Sequence, residues 1–267
     1  MTDSPQHSAP ELPRHVAENR RHWDANAPQW VASGERAWAQ DEPTWGIWGI
    51  PNAELPLLPD SLEGQRAIEL GCGTGYVASW MRRRGASVYA IDNSAEQLAT
   101  ARRLATEHGV DDIEWVHGNA ETVDQPDASF DFAISEYGAA IWCDPQIWIR
   151  EAHRLLRPGG RLVFLGNHPL AMVCLAADGA TPVGSRLERD YFGLGTLDWT
   201  DAIEDPGGIE FNMEISSWIR LFHEVGFDIE DYHEIQAPAS ADGTHFWVPA
   251  TWGRRFPAEQ AWELLKR

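Results

Sequence analysis

The sequence is short of positive charge. Its 267 residues contain 21 lysines and arginines against 41 aspartates and glutamates, and Lys266 is the only lysine, so the net charge is −20. Proteins that bind nucleic acids or anionic membrane surfaces present basic surfaces to them. The composition therefore predicts no nucleic-acid partner and no membrane partner, and it favours a small neutral or cationic substrate.

Cysteine and long apolar runs are also scarce. Cys72, Cys143 and Cys174 form no C-x-x-C pair, which argues against a zinc site or a disulfide framework. No apolar run reaches the ~18 residues that a membrane-spanning helix needs, and the polar N-terminus does not resemble a secretory signal. With no H-E-x-x-H motif either, these absences predict a cytoplasmic protein without a metal site.

What the sequence does contain is an alternation of short apolar runs and amphipathic stretches. It predicts strands at 67–70, 87–91, 112–118, 130–135 and 161–166, with helices at 76–85, 94–108 and 145–156. This alternation is typical of a parallel α/β sheet with right-handed crossovers. A helix at 214–226 and two strands at 227–235 and 244–252 are predicted to follow.

The flanking segments are predicted to have separate roles. The five predicted parts are a flexible tail (1–18), an N-terminal helical cap (19–58), a ligand-binding core (59–168), an insertion (169–213) and the rest of the sheet (214–267). The insertion is acidic and carries Tyr191, Phe192, Trp199 and Phe211, which suggests a lid that orders when ligand binds. The alternative is an insertion that packs rigidly or makes a dimer contact.

The clearest motif is E-L-G-C-G-T-G, from Glu69 to Gly75, between a predicted strand and a predicted helix. Glycines there allow a tight turn and a close approach to a ligand. The motif fails the dinucleotide pattern G-x-G-x-x-G, because Tyr76 stands where the last glycine is required. The acidic Glu69 would also oppose a pyrophosphate and suits a cationic, amino-bearing ligand.

Two further elements follow at the ends of the next predicted strands. Asp92 lies where a carboxylate can accept hydrogen bonds from both ribose hydroxyls, although it could instead cap the following helix. Asn119, Ala120 and Glu121 lie where an adenine amine could be recognised, although Glu121 could be a solvated loop carboxylate. Three such elements in order predict a nucleoside-containing ligand at the carboxyl edge of the sheet.

These residues give the chain its resemblance to the class I S-adenosylmethionine-dependent methyltransferases, in their small-molecule (methyltransferase type 11-like) branch. The resemblance is carried by ELGCGTG, by YAIDNSAEQLATAR (89–102), by HGNAETV (117–123) and by 129–166, with WDANAPQW (23–30) similar to a helix that closes over the cofactor. It implies a Rossmann-like, doubly wound seven-stranded sheet whose last strand is antiparallel. Asn119 is a departure, since the family often has aspartate there.

The resemblance also implies a cofactor, S-adenosylmethionine, and the residues that bind it. Glu69, Gly71 and Gly73 would hold the methionine part, and Asp92 would bind the ribose. The full expected set is Trp30, Glu69, Gly71, Cys72, Gly73, Asp92, Asn93, Asn119, Ala120, Glu121 and Glu136. Trp30 is the best ligand candidate in a tryptophan cluster at 23–48 that is otherwise expected to be core.

The acceptor side is less defined by sequence. Glu136 and Tyr137 follow the predicted fourth strand and His168 follows the fifth, so these three are the candidate catalytic residues. His168 would be a general base, or alternatively a structural turn residue.

The implied function is methyl transfer from S-adenosylmethionine, giving S-adenosylhomocysteine, to O or N of a small aromatic or apolar secondary metabolite. The predicted enzyme is a monomer or homodimer. Two alternatives keep the same fold: a cyclase or lyase that transfers no methyl group, and a cofactor-binding module without catalysis.

Overall fold

The computed structural model describes residues 12–202 and 207–267. Its first helix, α1, runs from Arg14 to Trp38, so residues 14–18 are helical and do not belong to the predicted tail. The helix extends that far because Val16 is 3% exposed and because the ring of His15 lies 2.7 Å from a carboxylate oxygen of Glu121. The rest of the predicted tail, 1–11, lies outside the described residues.

A seven-stranded sheet forms the centre of the fold. Its strands are β1 (Arg66–Leu70), β2 (Ser87–Asp92), β3 (Ile113–His117), β4 (Phe130–Glu136), β5 (Leu156–Asn167), β6 (Phe227–Ile235) and β7 (Glu259–Lys266). They are ordered β6-β7-β5-β4-β1-β2-β3. The last strand, β7, is antiparallel to both neighbours, and the other pairs are parallel. The predicted Rossmann-like sheet is thus confirmed.

Helices cover both faces of this sheet. They are α2 (Tyr76–Arg83), α3 (Ala95–Glu107), α4 (Ala139–Trp142), α5 (Pro145–Leu155), α6 (Pro169–Cys174), α7 (Ile215–Val225) and α8 (Ala250–Gly253). Local signals set several ends: the Ser94 side chain caps α3, and Gly226 ends α7 at φ +107°. Neighbouring strand residues such as Ala67 and Ile68 belong to two different hydrophobic clusters, because side chains alternate across a sheet.

The prediction of a last strand at 244–252 is wrong. Those residues form a two-residue ladder, Thr244–His245 with Val248–Pro249, and then α8. The partner of β6 is β7, which the sequence did not reveal. Its residues, EQAWELLK, are mostly good helix formers, and because six of the eight are buried it lacks the alternation of a half-exposed strand.

The insertion at 169–213 contains regular structure that its composition did not predict. It begins with α6, whose residues are nearly all buried, and it contains an antiparallel ladder, Thr196–Asp198 with Ile209–Phe211. Phe192 is 83% exposed, and its closure over a bound ligand stays a prediction. Phe211 instead packs edge-on against His15 of α1.

Candidate functional site

A cavity of about 770 Å³ opens at the carboxyl ends of the parallel strands. Small-molecule sites in open α/β sheets lie at this edge, and their volumes are typically about 300–1,000 Å³. Its walls come from α1, the glycine turn after β1, the loop at 44–49, the turn after β4, the insertion, and residues 245–248. The site therefore combines the sheet edge with four segments from outside the sheet.

The glycine turn has the geometry that its sequence predicts. Gly71, Gly73 and Gly75 all have positive φ, at +80°, +51° and +77°, a region that side chains with a Cβ rarely adopt. A Cβ on Gly71 would lie 2.6 Å from the Cα of Gly138, whereas a Cβ on Gly73 would meet no atom within 4 Å. Gly73 lines the cavity, so this backbone is open to a ligand.

Two carboxylates flank the turn and line the cavity. Glu69 is 2% exposed and accepts a hydrogen bond from the backbone N–H of Ala78 at 2.7 Å. Asp92 accepts one from Gly73 N–H at 2.7 Å and one from Ser94 N–H at 2.8 Å. Burial raises the pKa of both carboxyls. Because Ser94 itself caps α3, the alternative of Asp92 as the helix cap is wrong.

Most of the other expected cofactor residues also line this cavity. They are Trp30, Cys72, Asn93, Asn119, Ala120 and Glu136. Trp30 stacks on Phe246 with ring centroids 5.9 Å apart, while Trp38 and Trp45 of the same tryptophan cluster are fully buried. The cluster is thus divided between core and cavity wall.

Glu121 is placed differently from the expectation. It is 4% exposed and is not among the residues that line the cavity. One oxygen, Oε1, lies 2.7 Å from His15 Nε2 and accepts from the Asp144 backbone N–H at 2.7 Å. It is also not the solvated carboxylate of the alternative, since it ties α1 to the segment before α5.

His168 is likewise occupied by the fold. It is 4% exposed, its Nδ1 accepts from the Leu170 backbone N–H at 3.1 Å, and its Nε2 lies 3.1 Å from Glu234 Oε1. It does not line the cavity. Since both ring nitrogens are engaged and the ring caps α6, the general-base role is wrong and the alternative of a structural turn residue describes it.

Glu136 and Tyr137 do line the cavity. Glu136 accepts hydrogen bonds from the Tyr76 hydroxyl and from the Gly46 backbone N–H, and burial raises the pKa of its carboxyl. Tyr137 has a positive φ of +54°, an unusual conformation for a residue other than glycine. Its hydroxyl donates to Glu259 Oε1 at 2.7 Å.

Two carboxyls near the cavity were not predicted as site residues. Glu259, the first residue of β7, is fully buried, and burial raises its pKa to about 8. Glu210, in the insertion, lines the cavity and receives a hydrogen bond from Trp199 Nε1 at 3.1 Å, and burial raises its pKa to about 7. No local pattern marks Glu259, whereas Glu210 stood out only as one acidic residue among many.

The cavity is acidic and aromatic. Its lining acids are Glu69, Asp92, Glu136 and Glu210. Among the described lining residues, Arg36 is the only one that is a lysine or an arginine. The lining tryptophans are Trp23, Trp30, Trp48, Trp80, Trp142, Trp199 and Trp247. Aromatic faces and carboxylates both favour cationic or apolar groups over anions.

Elsewhere, the described residues contain one group that could hold a metal ion. Asp231, His233 and Glu263 place their ligand atoms within 4.8 Å of one another on β6 and β7. Arg161 lies 3.4 Å from Glu263, and none of the three residues lines the cavity. Among the described helices, none is long and apolar enough to cross a membrane.

We expect the two buried carboxyls to make stability fall as the pH rises. Their pKa values are about 7 for Glu210 and about 8 for Glu259 when folded, against 4.5 for an unperturbed glutamate. At pH values between 4.5 and the folded-state pKa of each group, the folded protein holds a proton that the unfolded chain has lost. Each group then costs up to about 1.4 kcal/mol per pH unit.

Denaturant titrations at several pH values would measure this slope. Glu259→Gln should remove the contribution of Glu259 to this pH dependence. The free energy of unfolding of the variant should therefore fall less steeply than that of the wild type up to about pH 8. Parallel curves for the two proteins would contradict the assignment to Glu259.

Comparison with known proteins agrees with this geometry. A family model described as a methyltransferase domain matches residues 68–164. The ubiquinone biosynthesis O-methyltransferase of Chelativorans sp. is 30% identical over 178 residues, covering 62% of this chain and 70% of the relative. That similarity extends well beyond the glycine turn and decides the family.

The chain belongs to the class I S-adenosylmethionine-dependent methyltransferases. Its cofactor is S-adenosylmethionine. The malonyl-[acyl-carrier protein] O-methyltransferase of Enterobacter lignolyticus is 39% identical over 101 residues, which are 37% of this chain and 38% of that relative. The chain thus spans well under half of that relative's length. The crystal structure of the [4+2]-cyclase SpnF is similar in fold, with a TM-score of 0.63, 17% identity, and 96% and 97% of the two chains covered.

Proposed function

We propose that this methyltransferase transfers a methyl group from S-adenosylmethionine to an oxygen or nitrogen of a small, aromatic or apolar secondary metabolite in the cytoplasm. The observation that carries the proposal is the cavity of about 770 Å³ at the carboxyl edge of the sheet. It runs from the glycine turn to a wall of tryptophans contributed by α1 and the insertion. Cofactor and acceptor can therefore share one continuous space.

The cofactor half of this cavity suits S-adenosylmethionine. Gly73 leaves open space where a side chain would intrude, and Glu69 places a buried carboxylate where a cationic amino group can bind. Asp92 is held by two backbone N–H groups, and its remaining lone pairs can accept from the ribose hydroxyls. Asn119 and Ala120 would frame the adenine. When bound, the cofactor supplies a methyl group on a sulfonium with a good leaving group.

The acceptor half would act by positioning and by excluding water. Trp23 packs edge-on against Trp142, with ring centroids 5.2 Å apart, and Trp199 brings the insertion to the same cavity. These faces provide an apolar wall against which a flat acceptor can stack. A dry and well-oriented site lowers the barrier for group transfer, and the acidic lining disfavours an anionic acceptor.

An acceptor screen tests the function. The protein is incubated with S-adenosylmethionine and matched phenols, amines and carboxylates, and S-adenosylhomocysteine release is followed by chromatography. Release with phenols or amines is expected, with little from carboxylates. If S-adenosylhomocysteine binds in calorimetry but no acceptor gives turnover, methyl transfer to small molecules is wrong, and a binding module or a cyclase-type catalyst takes its place.

The role of Asp92 makes a separate prediction. Asp92→Ala should weaken S-adenosylhomocysteine binding by roughly 1.5–3 kcal/mol, the range for hydrogen bonds to a charged group. The matched control is Ser94→Ala, two residues along the same turn. It removes the cap of α3 and should lower stability by about 1 kcal/mol while leaving affinity intact. Calorimetry and thermal melts separate the two, and equal affinities for both variants would contradict ribose binding by Asp92.

A further inference from the structure

Tyr137 connects the cavity to a carboxyl group that the cavity itself does not reach. The tyrosine lines the cavity, and its hydroxyl donates a hydrogen bond of 2.7 Å to Oε1 of Glu259. Glu259 is 0% exposed and is not among the lining residues. The tyrosine hydroxyl is therefore the route from a bound acceptor to this carboxyl group.

The surroundings of Glu259 favour the protonated form of its carboxyl group over a permanently ionised one. Its Oε1 also accepts from the Ile47 backbone N–H at 2.8 Å. Its other oxygen, Oε2, is buried and has no hydrogen-bond partner among the described residues, and no lysine or arginine within 4.0 Å forms an ion pair with it in the described part of the chain. A buried carboxylate left in this state gains by taking up a proton.

We propose that Tyr137 and Glu259 form a proton relay that deprotonates the acceptor during methyl transfer. The proposal rests on the proposed function, because it needs an acceptor with an O–H or N–H group. Tyr137 is the catalytic residue, since its hydroxyl oxygen would touch the acceptor. Glu259 acts through it as a positioning residue and as the final holder of the proton.

The step balances without any other reactant. The acceptor O or N forms its bond to the methyl carbon as the C–S bond breaks, and the electron pair of that bond stays on sulfur. The acceptor proton moves to the Tyr137 hydroxyl oxygen while the tyrosine's own proton moves to Glu259 Oε1. The sulfonium charge is neutralised, and the carboxylate becomes a neutral acid.

The charged groups around the relay set its pH dependence. Glu136 is the titratable neighbour whose negative charge disfavours a second charge on Glu259, and it is itself held by the Tyr76 hydroxyl and Gly46 N–H. Tyr137 and Ile47 N–H stabilise the ionised form of Glu259. With the pKa of Glu259 raised to about 8, the carboxylate form required for the relay increases as the pH rises through 8, so the rate should rise with it.

The first test needs no acceptor. Infrared spectra of the wild-type protein bound to S-adenosylhomocysteine, recorded across the pH range, should show a protonated carboxyl band that disappears with a midpoint near pH 8 and is missing in Glu259→Gln. Tyr137→Phe should move the midpoint upwards, because the ionised form loses a hydrogen bond. A Glu259 that stays protonated across the whole pH range would overturn the relay, because no carboxylate would then be present to take up the proton.

The second test uses an acceptor found in the screen above. Glu259→Gln keeps the shape and the hydrogen bond from Tyr137 but cannot take up the proton. Both Glu259→Gln and Tyr137→Phe should lower the methylation rate by about 100-fold or more and remove its rise towards pH 8, with S-adenosylhomocysteine affinity unchanged. Glu263→Gln, on the same strand, and Tyr232→Phe, on β6, should keep the wild-type pH profile.

The outcomes separate the relay from the proposed function. Methylation by Glu259→Gln at the wild-type rate, with the rise towards pH 8 intact, would overturn the relay and leave the methyltransferase function standing. A silent acceptor screen despite the infrared titration would overturn the proposed function, and the catalytic use of the relay would fall with it.

Discussion

Replacing Gly73 by valine should reduce the affinity for S-adenosylhomocysteine by at least about 100-fold, equivalent to about 2.8 kcal/mol, while the protein stays folded. The reason is the open space in front of this residue, where a new Cβ would meet no protein atom within 4 Å. A valine side chain would thus enter the cavity that the ligand needs rather than disturb the packing. Titration calorimetry gives the affinity directly.

Gly109 provides the control for the backbone strain in this variant. Its φ of +62° is close to the +51° of Gly73, and a Cβ there would also meet nothing within 4 Å, but it lies exposed after α3, away from the cavity. Gly109→Val should therefore lose similar stability, about 1–2 kcal/mol for a left-handed residue, and keep full affinity. Unchanged affinity in Gly73→Val would remove the glycine turn from the cofactor site.

The parts of this site that the sequence predicted are those fixed by neighbouring residues. The turn from Glu69 to Gly75 needs glycines at positive φ, and those glycines are visible in the sequence. Asp92 ends a strand whose apolar run is clear, and parallel strands bring such ends to one edge. These positions depend on short stretches of chain, so their spacing was enough to place them.

The parts that it missed depend on partners far along the chain. Glu121 is engaged by His15, 106 residues away, and His168 by Glu234, 66 residues away. Neither pairing leaves a mark in the sequence near these residues. Glu259 was hidden for another reason: β7 is a strand because it lies between β5 and β6, and its own residues favour a helix. The acceptor side of the site was therefore the least predictable.

The same long-range dependence makes Asn19 the residue that we expect to hold the insertion against α1. Its side-chain amide donates to the backbone carbonyls of Trp142 and Ile209, each at 3.0 Å, and its Oδ1 accepts from the Ile209 backbone N–H at 2.6 Å. Asn19 is 3% exposed, and Ile209 is also 3% exposed. Truncation to alanine would leave three backbone groups without their partners, at about 1–3 kcal/mol each.

Asn19→Ala should therefore weaken the packing of the insertion on α1 by at least about 3 kcal/mol, and the amides of 207–213 should exchange hydrogen at least about 100-fold faster. Asn26→Ala is the matched control on the same helix. Among the described residues, the hydrogen-bond partners of the Asn26 side chain are His22 and Gln29, both in α1, so this variant should change exchange little. Equal protection in both variants would mean that apolar packing alone holds the insertion.

The same hydrogen-exchange measurement with and without S-adenosylhomocysteine tests the predicted lid. If the insertion is a lid, the described part of 169–213 should be more protected when the ligand is bound. Because this segment carries Trp199 and Glu210 to the cavity wall, its ordering would close the acceptor side.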